Sequence, residues 1–263
     1  HMVWGGAGGW FADMGVQVFV GGIVRHITAR VGALVAGIML APRTGFPKKP
    51  MMPHNLPMTV TGAAMLWVGW FGFNGGSALG ANGDAASALV VTQISAATAT
   101  LVWMFVEWAK HGKPSMLGAA TGAIAGLAAI TPASGSVGPV GALVIGALSG
   151  FICWWASTVL KLKLGYDDSL DVFGVHGVGG FIGTIMLGVF MAPAFGGVGG
   201  EGFSIGKQLG VQLFAAAVTA VYTAVATFII LKLVKAVVGL RVDEQEENTG
   251  LDTTYHGEEA YNE

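Results

Sequence analysis

The chain has 263 residues, 53% hydrophobic and 11% charged, with a net charge of −2 and a mean hydropathy of +0.66. A soluble domain carries about a quarter charged residues, so a fully water-exposed surface is excluded. The scattered basic residues form no patch, which argues against nucleic acid as a partner. The 43 glycines follow no three-residue period and sit among too many apolar residues for disorder, and the single Cys153 allows neither an internal disulfide nor a cysteine metal cluster.

A spanning helix needs about 20 mostly apolar residues. Seven stretches qualify, at 15–40, 57–80, 86–108, 115–132, 139–161, 171–192 and 208–236. The fourth is short and rich in Ala and Gly. Polar or Pro/Gly-rich connections separate them, notably 41–56 with Pro42, Pro47, Pro50 and Pro53. From Asp243 onward the chain is acidic and reads as a soluble tail. The expected architecture is therefore an all-α, polytopic transmembrane bundle of about seven spans over 1–242, with a tail at 243–263. The start, His1-Met2, shows no signal-peptide pattern.

Basic residues set an orientation. Arg43, Lys48 and Lys49 follow the first span, Lys110 and Lys113 the third, Lys161 and Lys163 the fifth, and Lys232, Lys235 and Arg241 the seventh; the alternate loops hold only Lys207. This places the C-terminal tail in the cytoplasm of a multi-pass plasma-membrane protein. A surface-lying amphipathic protein would not show seven full-length apolar stretches.

Ionisable groups inside spans cost about 2.5–3.5 kcal/mol each on insertion scales and are functional candidates by default. Glu107 and Asp171 fall near cytoplasmic ends, and Asp171 is expected to cap a helix N-terminus with its carboxylate. His26 and His176 lie deeper, in Val20-Gly21-Gly22-Ile23-Val24-Arg25-His26 and Phe173-Gly174-Val175-His176-Gly177. A neutral imidazole can donate from one nitrogen and accept at the other. Facing each other, two such rings could line a narrow path; as separately satisfied core histidines they would do nothing of the kind. No carboxylate or cysteine stands at ligand spacing for a two-histidine metal site. At the outer end of the second span, Phe73 and Ser77 are four residues apart on one helix face. An aromatic face with a hydroxyl suits a small cation, and Trp4 could add a second face. Interfacial belt residues look the same. Asp167-Asp168 reads as a solvated turn. No nucleophile–base–acid set, phosphate loop or metal motif appears, so no enzyme and no cofactor is expected.

These strings carry a resemblance. Trp4-Gly5-Gly6, Gly21-Gly22 through His26, Pro53-His54-Asn55-Leu56-Pro57, Gly69-Trp70-Phe71-Gly72-Phe73-Asn74, Ile130-Thr131-Pro132-Ala133, Asp171 through Gly177, Gly239-Leu240-Arg241-Val242 and Gly250-Leu251-Asp252 occur in order along the whole chain. The chain thereby resembles the Amt/Mep/Rh ammonium transporter family, Amt branch. The resemblance implies the second part of an eleven-helix fold, lacking the first four spans, with His1-Met2 as internal family sequence. It implies ammonium or ammonia as substrate, His26 and His176 as the twin histidines of a hydrophobic pore, and Trp4, Phe73 and Ser77 as an external ammonium-recruitment site. Asp171 and Asn74 would support the pore. It further implies a homotrimer in the lipid bilayer, and a tail in which Arg241, Gly250 and Asp252 serve coupling to a PII-type signalling protein on the cytoplasmic face. Two departures stand out: Val18 or Gln17 replaces an aspartate ahead of Gly21-Gly22, and Arg25 and Arg30 replace small or apolar residues beside His26. They keep two other readings in view: an ammonium sensor acting through its tail on a PII-type partner, and a nonfunctional fragment.

Overall fold

Helix boundaries follow local chemistry. The computed structural model describes residues 2–4, 8–49 and 51–259, so His1, Gly5, Gly6, Ala7, Pro50 and the last four tail residues lie outside the described residues. In chain order the main helices are α1 (Gly22–Leu40), α2 (Leu56–Gly76), α3 (Gly83–His111), α4 (Met116–Ile130), α5 (Pro139–Leu164), α6 (Val172–Phe190) and α7 (Ile205–Val237), and all but α4 are long and apolar enough to cross a membrane. A short α8 (Glu244–Thr249) follows in the tail. The described residues contain no strand. The protein is thus an all-helical, multi-pass membrane bundle.

Side chains that accept from free N–H groups open these helices. Asn55 accepts from Met58 N at 2.9 Å, Asn82 from Ala85 N at 3.0 Å and Ser115 from Gly118 N at 2.8 Å. Pro139, fixed at a helical φ and needing no N–H bond, begins α5. Gly112, at φ 75, ends α3 with its N–H on Trp108 O.

The expected first span at 15–40 is shorter than its apolar run. Residues 15–21 run into the bundle without helical structure, and α1 starts only at Gly22. The cause is a tertiary clamp. The buried Gln212 of α7 accepts from Gln17 N (2.9 Å) and donates to Gln17 O (2.8 Å) and Thr184 O (3.1 Å). Gln17 is one of the two residues standing where the aspartate was expected, and its backbone bonds the Gln212 side chain in place of a helical partner.

Packing depends on small residues at crossings, because lipid offers helices no hydrophobic drive to associate. Helix α3 is wedged between α4 and α5 along Ser95 and Ala99. A Cβ added to Gly126 would lie 2.5 Å from Ser95 O, and one on Gly150 would lie 2.7 Å from Ala99 O. Ser95 Oγ donates to Gly126 O at 2.9 Å and locks the contact. Helix α4, shorter than the other apolar helices, is interior: Gly122 through Ile130 are all buried. One core joins Trp70, Trp103, Leu127, Cys153 and Val175, and another joins Phe11, Ile23, Ile27 and Ala215. Helix α2, by contrast, leaves Met65 71% and Val68 70% exposed, as a lipid- or protein-facing surface requires.

Candidate functional site

Both histidine-bearing helices begin as π-helical turns, Gly22–Ile27 and Val172–Gly177, a wide geometry that often marks functional positions. The turns bring His26 and His176 together with rings 5.9 Å apart, centroid to centroid, and 8° from parallel. Gly180 makes this possible: a Cβ there would stand 2.6 Å from His26 Cβ. His26 is only 4% exposed, and His176 is half-buried. Neither His26 nitrogen, nor Nδ1 of His176, finds a hydrogen-bond partner among the described residues. Buried polar atoms are nearly always paired, so these nitrogens stand available to a solute.

A third ring joins them. The Trp70 indole lies 5.9 Å from His26 at 5° and 6.1 Å from His176 at 13°. Its Nε1 donates to Thr131 Oγ1 at 2.8 Å, and that hydroxyl donates to Leu127 O. The indole is therefore held in one orientation by α4. Trp70 is a site residue that the sequence alone does not single out. Its only sequence signal was its place one turn before Phe73, which it meets edge-on at 5.8 Å and 80°.

One turn further along α2, Phe73 and Trp4 come together around a side chain. The Arg25 guanidinium lies 4.9 Å from the Phe73 ring and 5.7 Å from the Trp4 ring. Arg25, His26, Arg30, Trp70 and Phe73 line one cavity of about 690 Å³ with Met65 and Leu66. Arg25 and Arg30 form no ion pair among the described residues, and Arg30 Nε has no hydrogen-bond acceptor there. Ser77 ends α2 with its hydroxyl donating to Phe73 O at 2.8 Å. Asn74 is fully buried and donates to Thr92 Oγ1 at 2.8 Å, which ties α2 to α3.

At the other end of α6 the carboxylates are arranged differently from expectation. Asp171 does not cap the helix: it sits at φ 52 with no capping hydrogen bond, and its carboxylate meets Lys161 Nζ at 2.5 Å. Asp168 caps instead, accepting from Val172 N at 2.9 Å and Phe173 N at 2.7 Å. The left-handed turn at Asp171 folds the chain back so that the carboxylate three residues earlier reaches the free N–H groups. Nor is Asp167 solvated. Its carboxylate, 3% exposed, takes a bidentate contact from Arg43 Nε and Nη2 at 2.7 Å and a bond from Arg43 N at 2.8 Å. These bonds hold the Asp167 carboxyl below the ordinary carboxylate range. Glu107 is likewise satisfied, by Ser115 N and Trp103 Nε1.

The tail reaches the same corner. Arg241 donates to Leu40 O and Pro42 O and pairs with Glu247, which also accepts from Thr44 N at 3.0 Å. Thr44 adjoins Arg43, and Arg43 holds Asp167 beside the α6 cap. Gly250, at φ 105, ends α8, and Asp252 is exposed. Among the described residues no cluster of three or more His, Cys, Asp or Glu could hold a metal ion.

Comparison with known proteins adds to this geometry. Residues 1–261 match the model of the Ammonium Transporter Family. The Archaeoglobus fulgidus ammonium transporter Amt1 is 48% identical over 99% of this chain, and an Aquifex aeolicus ammonium transporter 46% over 100%. The chain spans 66% and 60% of those relatives' own lengths. Among solved structures, one titled Sensor Amt Protein superposes with a TM-score of 0.89 at 31% identity, covering 97% of this chain and 65% of that one.

Proposed function

Since the chain belongs to the Ammonium Transporter Family, we propose that it moves ammonium-derived nitrogen across a membrane, as ammonia, past the His26–His176 pair. The observation that carries this reading is the pair of parallel rings with unpartnered nitrogens, beside a cavity that is apolar apart from Arg25, His26 and Arg30. Carrying a bare ammonium ion into such a wall costs the hydration of a full charge, and leaving the proton behind removes most of that cost. Neutral ammonia can then donate to or accept from imidazole nitrogens that no protein group occupies. The Trp70 indole fills the side of the path and keeps both rings parallel. Trp4, Phe73 and Ser77 form its outer end, and Asp171 and Asn74 hold the helices that frame it.

The chain is read as a homotrimer subunit in the plasma membrane with its tail in the cytoplasm. The one-sided distribution of lysine and arginine supports that orientation. The tail, through Arg241, Gly250 and Asp252, is the surface on which a PII-type signalling protein would act. A stopped-flow measurement on proteoliposomes with an internal pH dye tests the transport reading. An inward ammonium gradient should raise internal pH faster than in protein-free vesicles, and His176→Ala should change that rate. Rates equal to protein-free vesicles would refute it.

A second reading, an ammonium sensor, draws support from the chain of contacts running from Arg241 through Glu247, Thr44 and Arg43 to Asp167 beside the α6 cap. Such a path lets the occupancy of the histidine region bias the tail. Deleting 243–263 separates the two readings: flux persists in a transporter, whereas a sensor loses its output.

A further inference from the structure

Arg25 lies over two aromatic faces. Its guanidinium stands 4.9 Å from the Phe73 ring and 5.7 Å from the Trp4 ring, within the range over which an aromatic face attracts a cation. The position is built into the fold. Gly21 gives the arginine stem its room, since a Cβ there would lie 2.9 Å from Arg25 Cδ. Among the described residues Arg25 makes no ion pair, so no carboxylate draws it elsewhere. The planar guanidinium stacks on aromatic rings. Trp4 is 47% exposed, and Phe73 is partly buried.

We propose that Arg25 is a specificity-determining residue: a tethered cation that occupies the cradle between Trp4 and Phe73 and excludes free ammonium and methylammonium from it. A free cation would need the same two ring faces and would meet a fixed positive charge on arrival. Neutral ammonia meets neither obstacle. This rests on the reading of Trp4 and Phe73 as the outer end of the ammonia route. Its own test, however, is equilibrium binding rather than flux.

The probe is methylammonium, titrated calorimetrically into the full chain in detergent. The intact protein should bind it at least about tenfold more weakly than Arg25→Met, the gain expected when a partly desolvated cation–π site is vacated. Arg25→Lys, which keeps a charge on a similar stem, should stay weak. Adding Phe73→Ala to Arg25→Met should abolish the gain. Equal affinity in the intact protein and Arg25→Met, whether measurable or not, overturns the proposal, as does a gain that survives Phe73→Ala. Unchanged burial of Cys153 against maleimide shows that each variant is folded. Failure of the transport reading would look different: no vesicle flux in either protein, with the binding difference still present.

Discussion

Replacing Asp168 with alanine should loosen the start of the helix that carries His176. Two backbone N–H groups, of Val172 and Phe173, lose a carboxylate acceptor at 2.9 and 2.7 Å; the third contact, to Gly174 N at 3.4 Å, is too long to count. An N-cap replaced by alanine costs about 1 kcal/mol, and a charged acceptor roughly doubles that, so the α6 entry should be weakened by about 2 kcal/mol. The protein carries its own reporter. Cys153 is the only cysteine, is fully buried, and lies with its Sγ 3.5 Å from Val175 O in the first turn of α6. Where reclosing is faster than alkylation, the maleimide rate tracks the opening equilibrium. A loss of about 2 kcal/mol should then accelerate modification about 30-fold. Asp168→Asn keeps one acceptor oxygen and should fall between. Asp171→Ala, which removes the Lys161 pair but no capping bond, should accelerate it less than Asp168→Ala does. An unchanged rate in Asp168→Ala, or an equal acceleration in Asp171→Ala, would refute the assignment of the cap.

Two further outcomes are expected. Gly150→Ala places a methyl 2.7 Å from the Ala99 carbonyl oxygen, on backbone that cannot yield, and should lower thermal stability by about 1–3 kcal/mol; Gly210→Ala, which meets nothing within 4 Å, should be neutral or stabilising, and melting in detergent compares them. Because Arg43 depresses the Asp167 carboxyl, its stabilisation is fully present above the unfolded carboxylate value of about 3.9 and is lost as pH falls through the lower folded value. Asp167→Asn should therefore cost about 1–2 kcal/mol at neutral pH, discounted for the 41% exposure of Arg43, and the melting temperatures of the two proteins should converge on acidification.

Much of the fold was written into the chain by itself. Runs of about 20 apolar residues cannot dissolve in water, and Asn55, Asn82, Ser115 and Pro139 are residue types that favour helix starts. His26 and His176 were conspicuous because an imidazole in such surroundings needs a reason. Tertiary structure decided the rest. A helix apolar on every side has no polar face to announce its orientation, so nothing in the sequence set Trp70 parallel to the two histidines or made Met116–Ile130 the interior helix. The start of α1 depends on Gln212, 195 residues away from Gln17. Of Asp168 and Asp171, the sequence favoured Asp171 as the cap of α6. A left-handed turn at Asp171, fixed by folding rather than by composition, gave that role to Asp168 and Lys161 to Asp171. Arg25 looked like a charge with no place in a membrane until Trp4, 21 positions earlier in the numbering, and Phe73 on another helix met over it. Aromatic faces that attract a cation are apolar in any composition count, and only their convergence in space turns them into a partner for charge.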